Sequence, residues 1–235
     1  MSANSPFVYY VAGSVLDAVP KKDVFVTGAT GYLGRHLLPR LAARGHRVRA
    51  LVRPGSETKL PTGVAQTVVA DVFDARSYAE AISEGATLVH LVGVARPNPF
   101  MARAFLGIDL ASVRAALKAA VQAQAAHFVY VSVAQPAPVM RAYVAARRAA
   151  ETLIRASGLP TTILRPWYVL GPGRRWPSLL LPVYWIFEQL PPTRETALRL
   201  RPVRLAEMIA ALTHAVEHPA RRFSLVETPA LRAGY

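Results

Sequence analysis

The chain has 235 residues, 52% of them hydrophobic, enough to bury a full core as one domain spanning 1–235. Cysteine is absent, which excludes disulfides and thiolate metal sites and fits a reducing compartment, so the expected location is cytoplasmic. Lys and Arg number 28 against 14 Asp and Glu, a formal +14, but lysine stands only at 21, 22, 59 and 118 and the arginines are scattered without a basic run, so nucleic acid is not an expected partner and the positive field suits an anionic cofactor or an acidic membrane surface.

Met1 to Pro20 is apolar in patches but lacks a basic head and is interrupted by Asp17, which makes it a poor secretory signal. Val24 to Gly34 then reads V-F-V-T-G-A-T-G-Y-L-G: a β-branched run breaking into Gly28, Gly31 and Gly34 just as a helix begins, with Leu33, Leu37, Leu38 and Leu41 at helical spacing until Gly45. Such a loop cradles phosphate: the first glycine makes a tight turn, the second lets backbone approach a pyrophosphate, and the third lets helix pack on strand. Strands are predicted near 24–27, 47–52, 66–70, 87–92, 127–132, 161–164 and 222–226, and helices over 32–44, 75–84, 101–125, 142–157 and 204–217. That alternation implies an α/β fold, a doubly wound parallel sheet. Helix 101–125 sets Phe105, Ile108, Val113, Leu117 and Val121 on related faces and should lie against the sheet or a partner subunit. Trp176 to Pro191 is too short to span a bilayer and is interrupted by Pro182; it reads as a lid over an apolar substrate, as a dimer or membrane-surface patch, or as core.

The spacing G-x-x-G-x-x-G, with A-L-V-R (Ala50 to Arg53), A-D-V (Ala70 to Val72), V-H-L-V-G (Val89 to Gly93), V-Y-V-S (Val129 to Ser132), Tyr143-x-x-x-Arg147 and L-R-P-W-Y-V-L-G-P-G (Leu164 to Gly173), resembles the short-chain dehydrogenase/reductase superfamily in its atypical or extended branch, epimerase/dehydratase-like or NmrA-like. The resemblance implies a Rossmann fold whose small C-terminal region, about 165–220, forms the substrate side. About 60 residues follow the Pro-bearing segment, too few for the C-terminal lobe of the sugar-nucleotide enzymes, which turns the expectation toward a small apolar ligand.

Gly28, Thr30, Gly31, Tyr32, Leu33 and Gly34 are the candidate pyrophosphate loop. The second strand ends in Val52-Arg53 with no acidic residue before Glu57, so Arg53, with Arg35 as a second candidate, selects the 2′-phosphate of NADP. The resemblance assigns Asp71 to the adenine amino group and Val72 to the adenine ring, with helix capping as the alternative for Asp71. It sets Leu91, Val92 and Gly93 over the adenine ribose and Pro166 against the nicotinamide. It makes Tyr143 the proton donor, with Arg147 in the place of the usual lysine, Ser132 at the first of two serines and Val133 at the second, usually catalytic one; Asp109 stands where extended members carry asparagine. His90 lies on a buried strand and reads as a core histidine, and no metal is expected. The expected function is an NADP(H)-dependent reductase of a small carbonyl or enone; the altered Ser and Lys positions support the alternative, a non-catalytic NADP(H)-binding sensor, assembly or structural subunit.

Overall fold

The computed structural model describes residues 20–61, 66–94, 101–137, 139–173 and 181–235. The leader reading, Pro20 apart, and the Trp176 to Leu180 part of the aromatic segment lie outside them. Strands β1 (Asp23–Thr27), β2 (Arg47–Val52), β3 (Gln66–Val69), β4 (Thr87–His90), β5 (His127–Val131) and β6 (Thr161–Arg165) appear where predicted; β7 (Val169–Leu170) and β8 (Val203–Arg204) pair only with each other, and β9 (Phe223–Glu227) completes the main sheet. That seven-stranded sheet is parallel throughout in the order β3-β2-β1-β4-β5-β6-β9. The chain reverses direction across the sheet between β1 and β4, with Thr27 in register with His90, and this switch point opens a crevice beyond the carboxyl ends of the strands.

Period-two alternation sorts the strands onto two cores. Val24, Val26, Val48, Val89 and Val129 face α1 (Gly34–Ala43) and α7 (Leu205–Glu217), burying Leu37, Leu38, Leu41, Met208 and Leu212. Phe25, Leu51, Leu88 and Phe128 face the other side, against Val113, Ala116 and Ala120 of α3 (Ala111–Gln122) and Ile154 of α4 (Arg141–Ala156). Strands buried on both faces account for the nearly unbroken apolar runs in the sequence.

Two predicted helices are corrected. Over 75–84 there are two 3-10 turns, Ala75–Ser77 and Ala79–Ala81. Asp74 caps the first by accepting the Arg76 N–H at 3.1 Å, and the Ser77 hydroxyl donates to the carbonyls of Asp71 and Asp74, so side-chain bonds displace a regular helix while Tyr78 is seated on Phe25. The 101–125 helix consists of α2 (Ala102–Ala104), a π-helical turn Phe105–Leu110, and α3. The wider turn shifts the register: Phe105 and Val113 are buried, but Val121 is exposed and Asp109 turns inward. Beyond β7 come α5 (Leu181–Gln189) and α6 (Pro191–Leu200), and α8 (Thr228–Ala233) closes the chain. The core reading of the aromatic segment fails for its described part, because Trp185, Ile186 and Phe187 are exposed.

Candidate functional site

The crevice is built from the loops that leave β1, β2, β3, β4, β5 and β6. At its floor Gly28 has φ +71°, and a Cβ there would lie 2.7–2.8 Å from the Leu91 carbonyl and the Val92 nitrogen; only glycine lets the loop after β1 pass against the loop after β4. At Gly34 a Cβ would lie 2.3 Å from the Ala29 carbonyl oxygen, so this glycine serves helix-on-loop packing. Gly31 differs: among the described residues a Cβ there would meet only the Gly28 oxygen, at 3.0 Å. The Gly31 N–H donates to Gly28 and the Arg35 N–H to Gly31, whereas the Leu33 N–H has no acceptor among the described residues. Such a glycine beside a free N–H at the start of α1, whose first turn holds no acid, fits a pyrophosphate.

Around this cradle Thr30 and Tyr32 are partly exposed, and the Tyr32 carbonyl holds His36 Nδ1 at 2.8 Å. Arg53 leaves the end of β2 exposed, with no side-chain partner among the described residues, while Arg35 lies 5.7 Å above the Tyr32 ring. Asp71 is exposed and accepts the Phe73 N–H at 3.0 Å; the cap of the next turn falls to Asp74, so Asp71 is not the helix cap. Val72 is buried with Val92 packed against the same core, the Leu91 N–H donates to Thr27, and buried Pro166 accepts the Ala134 N–H at 3.0 Å.

The reaction-centre residues are less free than the sequence suggests. Arg147 is buried, and its guanidinium lies 2.5 Å from Asp109 and donates to the Tyr130 hydroxyl at 2.9 Å and the Val131 carbonyl at 3.0 Å. Burial opposes its charge, but Tyr130, Tyr143 and Asp109 outweigh that and hold its pKa above the ordinary arginine value; burial pushes Tyr130 up to about 12. The guanidinium carbon is 5.2 Å from the centre of the Tyr143 ring, whose other neighbour is Phe105 at 5.0 Å between centroids. Arg147 is therefore a fixed cation beside Tyr143 and not a free hand for a ribose. Ser132 is corrected outright: it is buried and donates to Glu151 at 2.6 Å, and Glu151 also accepts from Gln135 and Arg165. Its hydroxyl is spent within the core, so with Val133 also buried the carbonyl-orienting role has no holder at either position.

Sequence reasoning noted Asp109 and Arg147 as separate departures and missed that they form one buried ion pair. It also missed Glu151, one helical turn beyond Arg147, which with Arg165 anchors α4 to β6. His90 is a core residue: it meets the Thr27 hydroxyl at 2.8 Å and the Ser112 hydroxyl at 3.2 Å, and burial, reinforced by Arg147, lowers its pKa to about 3. Among the described residues no cluster of His, Cys, Asp or Glu is arranged to hold a metal, and no helix is long and apolar enough to cross a membrane.

With this geometry in place, residues 28–174 match the family model described as NAD(P)H-binding. The chain belongs to that family. It is 32% identical over 151 residues to a ceramide reductase of Caulobacter vibrioides (64% of this chain, 47% of the relative), and 29% identical over 168 residues to a 4-hydroxy-2-methyl-3-oxo-4-farnesyl-3,4-dihydroquinoline-1-oxide ketoreductase of Stigmatella aurantiaca (63% and 50%). The chain thus spans about half the length of these curated relatives. Among solved structures, the Bordetella bronchiseptica enzyme WbmH in complex with NAD+ superposes with a TM-score of 0.64 at 18% identity, covering 87% of this chain and 75% of that one. The likeness is one of fold.

Proposed function

We propose that the protein is an NADP(H)-dependent reductase of an apolar carbonyl or enone, with Tyr143 as its proton donor. The observation that carries this reading is Gly31, unobstructed among the described residues, beside the free Leu33 N–H in the crevice at the carboxyl ends of β1 and β4. The Gly28 to Gly34 backbone holds the pyrophosphate, and Arg53, with no carboxylate partner among the described residues, takes the 2′-phosphate. The bound nicotinamide supplies hydride chemistry. The Tyr143 hydroxyl donates the proton that the reduced substrate requires, with Arg147 placing a fixed positive charge beside its ring. Two relatives named for reduction of a ceramide and of a farnesyl-bearing ketone support an apolar substrate.

The test is NADPH oxidation across apolar ketones, aldehydes, enones and quinones. Tyr143→Phe should lower kcat by roughly 10²–10⁴ while leaving the NADPH dissociation constant unchanged; an equally active Phe variant removes Tyr143 from the reaction. The second reading, a non-catalytic NADP(H)-binding subunit, draws support from the commitment of Ser132 to Glu151 and of Arg147 to Asp109. It is favoured if NADPH binds tightly, no substrate turns over, and Val133→Ser with Arg147→Lys and Asp109→Asn creates activity.

A further inference from the structure

Helix α4 presents polar chemistry on two sides. Tyr143 and Arg147 belong to the reaction centre, whereas Arg148, Thr152 and Arg155, four and three residues apart, share an exposed stripe roughly 120–180° farther round the axis from Tyr143. That stripe forms one wall of a cleft of about 320 Å³, a size suited to a small ligand, and Gln135, Glu151 and Arg165 form its deeper lining. None of these six residues is assigned to the nucleotide or to proton transfer.

The deeper lining is electrically closed. Glu151 accepts from the Ser132 hydroxyl at 2.6 Å, the Gln135 amide at 2.8 Å and Arg165 at 2.9 and 2.5 Å, and the third Arg165 nitrogen reaches Glu227 at 3.2 Å. The rim is not closed. Arg148 donates through Nε to the Gln135 side-chain oxygen at 3.1 Å, and that oxygen is fixed because Glu151 holds the amide nitrogen; the terminal nitrogens of Arg148 have no acceptor among the described residues. Arg155 sets its guanidinium carbon 3.8 Å from the centre of the Phe223 ring, which takes one face of the group and leaves its N–H edge, again without an acceptor among the described residues. Arg44, Arg47, Arg147 and Arg201 each meet a carboxylate. Arg148 and Arg155 are instead held by neutral partners, and both open on one cleft whose single carboxylate is already neutralised by Arg165. Such a cleft focuses positive field, and the guanidinium edge matches the oxygens of a phosphoryl group in a bidentate way. We propose that this cleft binds a phosphoryl group, as the free ion or on a small molecule, between the edges of Arg148 and Arg155. The site is separate from the glycine cradle and holds whether or not the chain is a reductase.

The purified full chain is dialysed to equilibrium against radiolabelled inorganic phosphate and titrated calorimetrically with glycerol 3-phosphate, at an ionic strength fixed with chloride. Binding of either probe is expected, and the tighter one tells a free ion from a phosphorylated small molecule. Arg148→Gln and Arg155→Gln should each weaken it about tenfold or more. Thr152→Glu places a carboxylate between the two guanidinium groups at an exposed helical position, so it should abolish binding while the melting temperature in phosphate-free buffer holds or rises; this arm stands if an arginine variant does not fold. The proposal is overturned if the natural chain binds neither probe, if acetate competes as well as phosphate, if the arginine variants or Thr152→Glu bind as well as the parent, or if Gly31→Val, in the cradle, abolishes the binding instead.

Discussion

Gly31 and Gly34 carry the same side chain in one loop for opposite reasons, and substitution separates them. A Cβ at Gly34 would press on the Ala29 backbone carbonyl, which cannot turn aside, so even Gly34→Ala should lower the melting temperature. Gly31→Val should instead retain a cooperative melt and lose dinucleotide binding, since its side chain enters the cradle; titration of both variants with NADPH, beside their circular dichroism melts, reads the difference. Arg53 is exposed and without a carboxylate partner among the described residues, so Arg53→Ala should cost about 1.5–3 kcal/mol of NADPH binding and leave NADH binding nearly unchanged. Equal loss for both nucleotides in calorimetry would remove Arg53 from the 2′-phosphate site.

Between elements, the Asp109 and Arg147 pair joins the π-helical turn to α4 beneath Gly93, where an added Cβ would lie 2.3 Å from the guanidinium. Asp109→Leu strands a buried cation and should destabilise the fold by about 3–5 kcal/mol, whereas Asp109→Leu with Arg147→Met should recover most of that loss. Denaturant midpoints of the single and double variants measure it; additive losses would show that the two side chains act separately. Each residue looked like a lone departure in the sequence, because nothing in local spacing shows that a π turn rotates Asp109 inward toward a helix so much later in the chain. The aromatic segment shows the same limit from the other side: its composition was plain, but only the packing of α5 revealed that the charged face is the buried one.

Across the whole molecule, the centre of the sheet holds two histidines that fold uncharged. Burial lowers His90 to about 3, with Arg147 adding to the effect, and lowers His127 to about 4, with Lys22 adding. Below pH 6.5 the unfolded chain takes up protons at these positions that the folded chain refuses. Stability is thus complete above about pH 6.5 and falls as the pH drops toward 4, by up to about 1.4 kcal/mol per pH unit for each histidine. The urea midpoint should decline from pH 7 to pH 5, and His90→Gln should flatten the decline; a midpoint constant over that range would contradict the buried neutral state.

The parallel α/β architecture, the seven main strands, the glycine turn between β1 and α1 and the NAD(P)H-binding class were legible in the chain itself, because apolar periodicity and glycine placement are local consequences of backbone geometry. The employment of the polar side chains was not. Whether Ser132 faces a substrate or Glu151, whether Arg147 holds a ribose or Asp109, and whether α5 turns its aromatics inward or outward depend on which groups burial brings together. An unpaired buried charge is costly enough that tertiary partners, and not sequence spacing, decide those contacts.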